Sequence, residues 1–281
     1  RTVDKLISRL KPDVVFHADG FYYFPAQAND GVQIFADQQD DFDEEDAELL
    51  ETEIEYGHVN FSLCTQAYAV SPGAAERLTE LFRVPFRALP NGVDLDTFRS
   101  VRPETIIDLR NQLGIQDRLV ISYVGTASHL DRQFVASLAE ELSRCVPDAL
   151  LMIVGPKMAS RKNILSVGYV DPAHVHLYFL ASDLGMLPAP HASSKFIYHA
   201  VPLKVVQYGA ARKCVLSVPN HWLEEQAFPN VSMADQDVTR WIEEIQRLRE
   251  VRWRPEWDGL WEQHDWDVVA RPLLDAISQS Q

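Results

Sequence analysis

Residues 201–217, VPLKVVQYGAARKCVLS, carry a helix and the strand that follows it. Pro202 suits a first helical position, where its missing N–H costs nothing. Arg212 and Lys213 fall where the last turn is expected, and cations are favoured there. Residues 214–218 form a compact apolar run of the kind a buried strand needs. Lys204 is the exception. It sets a positive charge in the first turn, where the helix dipole disfavours it by about 0.3–1 kcal/mol. An anion at that end reverses the sign, because free backbone N–H groups and the ammonium then act together. Gln207, three residues on, shares the helix face of Lys204. A lysine that snorkels to solvent is the bland alternative.

The same alternation extends upstream. LVISYV (119–124) reads as a strand, and RQFVASLAEELSRCV (132–146) as a helix with one apolar stripe. ALLMIVG (149–155) and NILSVGYV (163–170) read as strands, PAHVHLYFLAS (172–182) as helical, and LGMLPAP (184–190) as a strand running into a Pro-rich loop. DVTRWIEEIQRLREV (237–251) is another amphipathic helix. This order predicts an α/β, doubly wound parallel sheet. The first hundred residues give a thinner version. Its strand candidates lie at 13–18, 32–37, 67–71 and 87–91, and its helices at 2–10, around 43–57 and at 73–83. The expected organisation is therefore two Rossmann-like domains facing a cleft: 1–100, then 101–262. Residues 263–281 are expected to form a helix crossing back to the first domain. In open α/β sheets ligands sit outside the carboxyl ends of the strands. That singles out GTASH (125–129), GP (155–156), VGYV (167–170), PAPHASS (188–194) and the loop before Pro202.

Composition narrows the partners. A chain of 281 residues, 46% hydrophobic, suffices for a sizeable core. No apolar run approaches the roughly 20 residues of a spanning helix, and the opening RTVDKLISRLKPD is too polar for a secretory signal. Cys64, Cys145 and Cys214 form no metal-ligand pattern, so free thiols in a reducing, cytoplasmic setting are expected. The net charge is −15, with the excess of acid concentrated in the first hundred residues. A nucleic-acid polymer is a poor partner for such a surface. A single nucleotide needs only one or two cations and some backbone N–H groups.

The acidic segment ADQQDDFDEEDAELLETE (36–53) is mostly what a helix start attracts. Asp40 and Asp41 follow a strand directly and are better placed to face a ligand, with Asp37 beside them. His17, His58, His191 and His199 show no metal-ligand spacing, and His191 and His199 flank the loop before Pro202.

VSPGAAERLTELFRVPFRALPNGVDLDTF (70–98) resembles the stretch that ends the first domain of GT-B-fold glycosyltransferases of the group 1 type. VGT…D (124–131), LLMIVG (150–155), VGYV (167–170), ASDLGMLP (181–188) and PLKVVQYGAARKCVLS (202–217) resemble successive elements of the donor-binding domain of the same enzymes. The resemblance implies a nucleotide-sugar donor, a UDP-sugar by preference, and transfer to a carbohydrate or lipid-linked acceptor in polysaccharide or glycoconjugate synthesis. It implies that Lys204 contacts the donor phosphates and Gln207 the ribose. Gly125 and Thr126 would lie near the phosphates or sugar, Gly168, Tyr169 and Val170 near the base, and Pro188 and His199 beside the donor. Many relatives carry a Glu-x7-Glu pattern where this chain has His199 and Gln207. The Lys-x-x-Gln-Tyr variant resembles the inverting glucuronosyltransferase of the xanthan pathway, which makes Asp40 the expected general base, with Asp37 and Asp41 as alternatives. No metal or cofactor is expected, and peripheral contact with the inner face of a membrane is left open. The first domain is expected to be incomplete at its N-terminus, as a fragment, part of a larger assembly or a short relative. A non-catalytic binding subunit of the same fold is the alternative function, and a nucleotide-sugar epimerase a more distant one.

Overall fold

The computed structural model describes residues 9–18, 32–38, 47–159, 161–190 and 201–279. The chain divides into two compact units. The first holds the described residues up to Asn91, Val201 and those from Asp267 onward; the second holds the rest from Gly92 to Trp266.

In the first unit, β1 (Val14–Ala18), β2 (Gln33–Gln38), β3 (Gln66–Ala69) and β4 (Phe86–Ala88) form a parallel sheet in that order. α1 (Ala47–Ser62) connects β2 to β3, and α2 (Pro72–Phe82) connects β3 to β4. α2 starts where its sequence says it should: Ser71 accepts the Ala74 N–H at 3.1 Å, and Pro72 takes the first turn. Alternation along the strands buries both faces. Ile34, Ala36, Ala67 and Ala69 pack with Phe61, Leu78 and Phe82. Phe35, Tyr68 and Leu89 point the other way, onto Val269, Leu273 and Ile277 near the C-terminus.

The second unit opens with α3 (Leu95–Arg99) and α4 (Pro103–Leu113). There follow β5 (Leu119–Val124), α5 (Arg132–Cys145), β6 (Ala149–Val154), β7 (Ile164–Gly168), α6 (Val175–Ala181), β8 (Leu184–Leu187), α7 (Leu203–Ala210), β9 (Cys214–Ser217), α8 (His221–Gln226), β10 (Val231–Met233), α9 (Val238–Arg249) and α10 (Asp258–Glu262). α11 (Trp266–Val269) and α12 (Arg271–Gln279) end the chain's regular structure. The sheet order is β10-β9-β8-β5-β6-β7, with every pair parallel. β5 and β6 are buried at every residue, as central parallel strands covered on both faces must be. Trp241 of α9 meets Phe134 of α5 edge-on at 4.9 Å, joining two helices over the sheet. At the amino end of the strands, Arg110 donates to the carbonyls of Ala181 at 2.7 Å and Arg118 at 2.8 Å, and Asp183 accepts the Val120 N–H at 2.7 Å. That clamp ties the starts of β5 and β8 together.

Two local expectations are corrected. Pro202 is the N-cap of α7, not its first residue. Arg212 and Lys213 lie beyond the helix: Arg212 is left-handed (φ 57°), its N–H reaches Gly209 O at 2.9 Å, and the Lys213 N–H reaches Tyr208 O at 2.9 Å. This is a Schellman ending, with arginine where glycine is usual. Arg212 forms an ion pair with Asp258 at 2.7 Å instead of serving the helix dipole. α8 and β10 lie in a stretch where the apolar pattern is too short to announce them.

Ala227 ends α8 in the left-handed region (φ 47°) with its N–H on Leu223 O. A side chain there is strained, whereas glycine is not. Ala227→Gly is expected to raise stability, by about 1 kcal/mol at most once glycine's entropy in the unfolded chain is subtracted. Urea unfolding checks it, as a higher midpoint with an unchanged slope.

Candidate functional site

The chain leaves β5 towards β6 and β7 on one side and then returns to β8 on the other. The carboxyl ends of β5 and β8 are therefore the switch point of the second sheet, where loops diverge and leave a crevice. Four segments supply its lining: the turn after β5, the loops after β6 and β7, and the start of α7.

Lys204 reaches into this point. Pro202 caps α7 without a side-chain hydrogen bond, so the first-turn N–H groups of Leu203 and Lys204 stay open among the described residues. The lysine side chain lies where Gly125 has none. A Cβ built on Gly125 would collide with Lys204 Cε and sit 2.9 Å from its Nζ and 3.2 Å from Tyr123 Oη. The ammonium stands 5.6 Å from the centre of the Tyr123 ring. Desolvation by burial holds its pKa below the ordinary lysine value. No carboxylate among the described residues pairs with it. A largely desolvated cation beside open N–H groups is a site that an anion completes.

The surrounding backbone is built for close approach. Gly155 has φ 104°, and a Cβ on it would collide with the Gly125 carbonyl. Its N–H donates to Gly168 O at 2.7 Å, and the Gly125 N–H donates to Val154 O at 3.0 Å. The register of β6 and β7 shifts at Ile153 and Val154, which lets Gly168 (φ 80°) turn its carbonyl towards Gly155. The ends of β5, β6 and β7 are thereby laced together through glycine backbone. Tyr123 Oη donates to Thr126 O at 2.6 Å, and Thr126 Oγ1 lies 3.0 Å from Ser128 Oγ. The Asp131 N–H donates to Pro188 O at 2.9 Å while the Asp131 carboxylate caps α5, so the β8 loop is tied to the β5 loop.

α7 is anchored from below. Tyr208 is fully buried and donates to Ser122 O at 2.6 Å. Ser122 Oγ lies 2.9 Å from Tyr208 Oη and donates to Ser182 Oγ at 2.9 Å. The Tyr208 ring occupies the place of a side chain at Gly185, where a Cβ would sit 2.7 Å from it. Burial raises the Tyr208 hydroxyl well above the usual range, so it stays a donor.

The structure thus brings Lys204, Gly125, Thr126, Gly168 and Pro188 to one end of one sheet. Gln207 sits one turn along α7, half-buried. Tyr169 and Val170 follow the end of β7, two strands from β5 and so roughly 10 Å across the sheet; Tyr169 is 80% exposed. Asp37 belongs to the first unit, at the end of β2, and is buried at 5% exposure. Asp40, Asp41 and His199 lie outside the described residues, as does His191. Tyr123 and Gly185 escape the sequence reading, because both look like ordinary strand residues; an aromatic two positions before the glycine that follows the strand is the only signal. Among the described residues no group of three His, Cys, Asp or Glu side chains is placed to hold a metal ion. No helix among them is long and apolar enough to cross a membrane. Cys64, Cys145 and Cys214 are free thiols.

The desolvated ammonium has a thermodynamic signature. A lysine whose folded pKa lies below its unfolded value of 10.5 weakens the fold at neutral pH, and the penalty is relieved as pH rises through the folded pKa. Lys204→Met is therefore expected to melt higher than the wild type at pH 7 in anion-free buffer. The gap should close as pH approaches the unfolded value. Thermal melts of both proteins across that range check the sign.

No protein-family model and no curated protein matches the sequence. Solved structures do match. HepE of Anabaena, solved with UDP and glucose, is 13% identical and superposes with a TM-score of 0.70 over 88% of this chain and 71% of its own. The UDP-forming α,α-trehalose-phosphate synthase of Burkholderia vietnamiensis is 12% identical, with a TM-score of 0.69 over 99% of this chain and 77% of its own. A TarM variant of S. aureus, solved with UDP, fondaparinux and α-GlcNAc-glycerol, is 10% identical, with a TM-score of 0.68 over 98% and 58%. These likenesses show the fold: the chain is GT-B-like, with two Rossmann-like parallel sheets.

Proposed function

We propose that the protein is a glycosyltransferase and that its second unit binds the nucleotide-diphosphate donor, a UDP-sugar by preference. One observation carries the reading. Lys204 is a desolvated cation, without a carboxylate partner among the described residues, at the switch point of a sheet whose structural relatives were solved with UDP. In this reading Lys204 and the open N–H groups of α7 meet the diphosphate. Gly125 and Thr126 border the phosphates and sugar, and Pro188 and His199 flank them. Gln207 hydrogen-bonds the ribose hydroxyls without charge. Gly168, Tyr169 and Val170 border the base.

The transfer itself is a single displacement. A carboxylate from the end of β2 or the segment after it accepts the proton of the acceptor hydroxyl as its oxygen attacks the anomeric carbon. The bond from that carbon to the phosphate oxygen breaks, and the leaving diphosphate carries its charge away against Lys204. Asp40 is proposed as the base, with Asp37 and Asp41 as alternatives; an aspartate with a pKa of about 3.9 is ionised at neutral pH. The outcome is inversion, without a metal ion. The acceptor is a carbohydrate or lipid-linked sugar, and the likeness of the Lys-x-x-Gln-Tyr run to that of a glucuronosyltransferase supports a uronosyl or hexosyl donor; the free cysteines support a cytoplasmic setting.

A second reading has its own support. Gln207 stands where many GT-B enzymes place a glutamate, so a chain that binds donor without transferring it is also consistent with the site. Turnover separates the two: release of free UDP from a UDP-sugar, with or without acceptor, belongs only to the enzyme.

Calorimetry with UDP, GDP and ADP tests the donor site. The wild type is expected to bind UDP best, and Lys204→Ala to weaken it at least tenfold, since a hydrogen bond to a charged group contributes about 1.5–3 kcal/mol. Gln207→Ala should weaken UDP but leave inorganic diphosphate unaffected. Equal UDP binding by wild type and Lys204→Ala would remove the phosphate role.

A further inference from the structure

Beneath Lys204 lies a residue that the donor reading leaves without a role. Tyr123 is the penultimate residue of the central strand and is 1% exposed. Its ring backs the Lys204 ammonium, its hydroxyl donates to the Thr126 carbonyl at 2.6 Å, and that same hydroxyl lies 3.2 Å from the position a Gly125 side chain would take. The two partners come from different elements: the turn after β5, and α7, some eighty residues later in the chain. Tyr123 therefore touches both halves of the proposed phosphate site while lying under it.

The geometry points to Tyr123 as a positioning residue for diphosphate binding, one that sets the Gly125–Thr126 turn with its hydroxyl and the Lys204 ammonium with its ring. The inference rests on the donor reading above and deepens it. Gly125 leaves a gap at the strand end, and Lys204 crosses through it. An ammonium in such a gap has many rotamers to choose from, and a lysine stem loses up to about 2 kcal/mol of rotamer entropy when fixed. The face of an aromatic ring is attractive to a cation and costs it no charge compensation, unlike a carboxylate. An acidic partner at this position would neutralise the lysine and repel the phosphates; a tyrosine ring holds the lysine and leaves its charge available. The hydroxyl does the complementary work on the backbone. By accepting no proton and donating one, it fixes the Thr126 peptide plane, and with it the close approach of Gly125 to Gly155. Burial raises its pKa far above neutrality, so the donor role persists over the working range.

Two variants separate ring from hydroxyl. Tyr123→Phe keeps the ring and frees the Thr126 carbonyl; Tyr123→Leu removes both. The experiment measures binding of UDP and of uridine to the full chain by calorimetry from pH 6 to 10. For Tyr123→Phe the expected result is about a three- to tenfold loss for UDP, the worth of one hydrogen bond. Uridine binding should not change, because the nucleoside does not reach the phosphate site. Tyr123→Leu should lose more. Its UDP binding should also fall away at lower pH than in the wild type, because a lysine without the ring loses a contact that favours its charged form. If both variants bind UDP like the wild type, or lose UDP and uridine in equal proportion, the positioning role is overturned while the donor reading stands. If the wild type binds no UDP, the donor reading falls and this inference falls with it.

Discussion

The second unit is organised around a lysine that enters through a missing side chain. Gly125 lacks the Cβ that would block Lys204, and Gly155 lacks the one that would drive the Gly125 carbonyl away. These two absences let the ends of β5, β6 and β7 join through backbone hydrogen bonds and let the Lys204 side chain cross the first of them. Everything else in the unit keeps that convergence in place. Tyr208 and the Ser122–Ser182 pair hold α7 from beneath, Asp131 ties the β8 loop to the β5 loop, and Arg110 with Asp183 locks the far ends of the same two strands. A central strand clamped at one end and crowded with glycine at the other gives a rigid floor and a permissive rim. Sites held by regular elements are more exactly placed than sites carried on loops.

The second unit was legible because its physics is local. A parallel strand buried on both faces must be apolar almost throughout, as LVISYV and ALLMIV are; the structure starts and stops the first at the residues the sequence suggests and ends the second at Val154, one residue before the glycine the sequence reading included. α5 and α9 announce themselves by their apolar stripes and by the aspartates, Asp131 and Asp237, that cap them. The ending of α7 was misread for an equally local reason. Two cations after an apolar run look like a last turn, and nothing in the sequence distinguishes them from an arginine forced into the left-handed region by a Schellman ending. α8 and β10 have too few residues to show a period.

The site was legible only where a residue breaks a rule. Lys204 stands out because a cation in a first turn conflicts with the helix dipole. Tyr123 breaks no rule: an aromatic in a buried strand is ordinary, and its role depends on what α7 brings to it from far along the chain. Gly185 is invisible for the same reason, since its meaning is the Tyr208 ring. The carboxylates proposed for catalysis belong to the acidic run that starts at the end of β2, where charge density alone makes every aspartate resemble its neighbour. Only Asp37 is placed, as a buried residue at the end of β2 in the first unit.

The costs to the fold are unevenly distributed, and their distribution is informative. Arg83, Arg212 and Ala227 also carry left-handed backbone, but each simply ends a helix, and the N–H groups of Arg212 and Ala227 bond back into theirs. At the carboxyl edge of the second sheet the departures are of another kind. A charge is desolvated without a counter-charge among the described residues, glycines replace side chains that would fill space, and a large aromatic, Tyr169, is left in solvent beside them. The glycines are required by the close approach they allow, but neither the desolvated charge nor the exposed ring helps the apo protein. A protein keeps such a cluster when something outside the chain completes it. The donor proposed above would complete this one as an extended anion, with negative charge at Lys204, close backbone contact along the glycines and a flat face for Tyr169. A nucleoside diphosphate has those properties in that order.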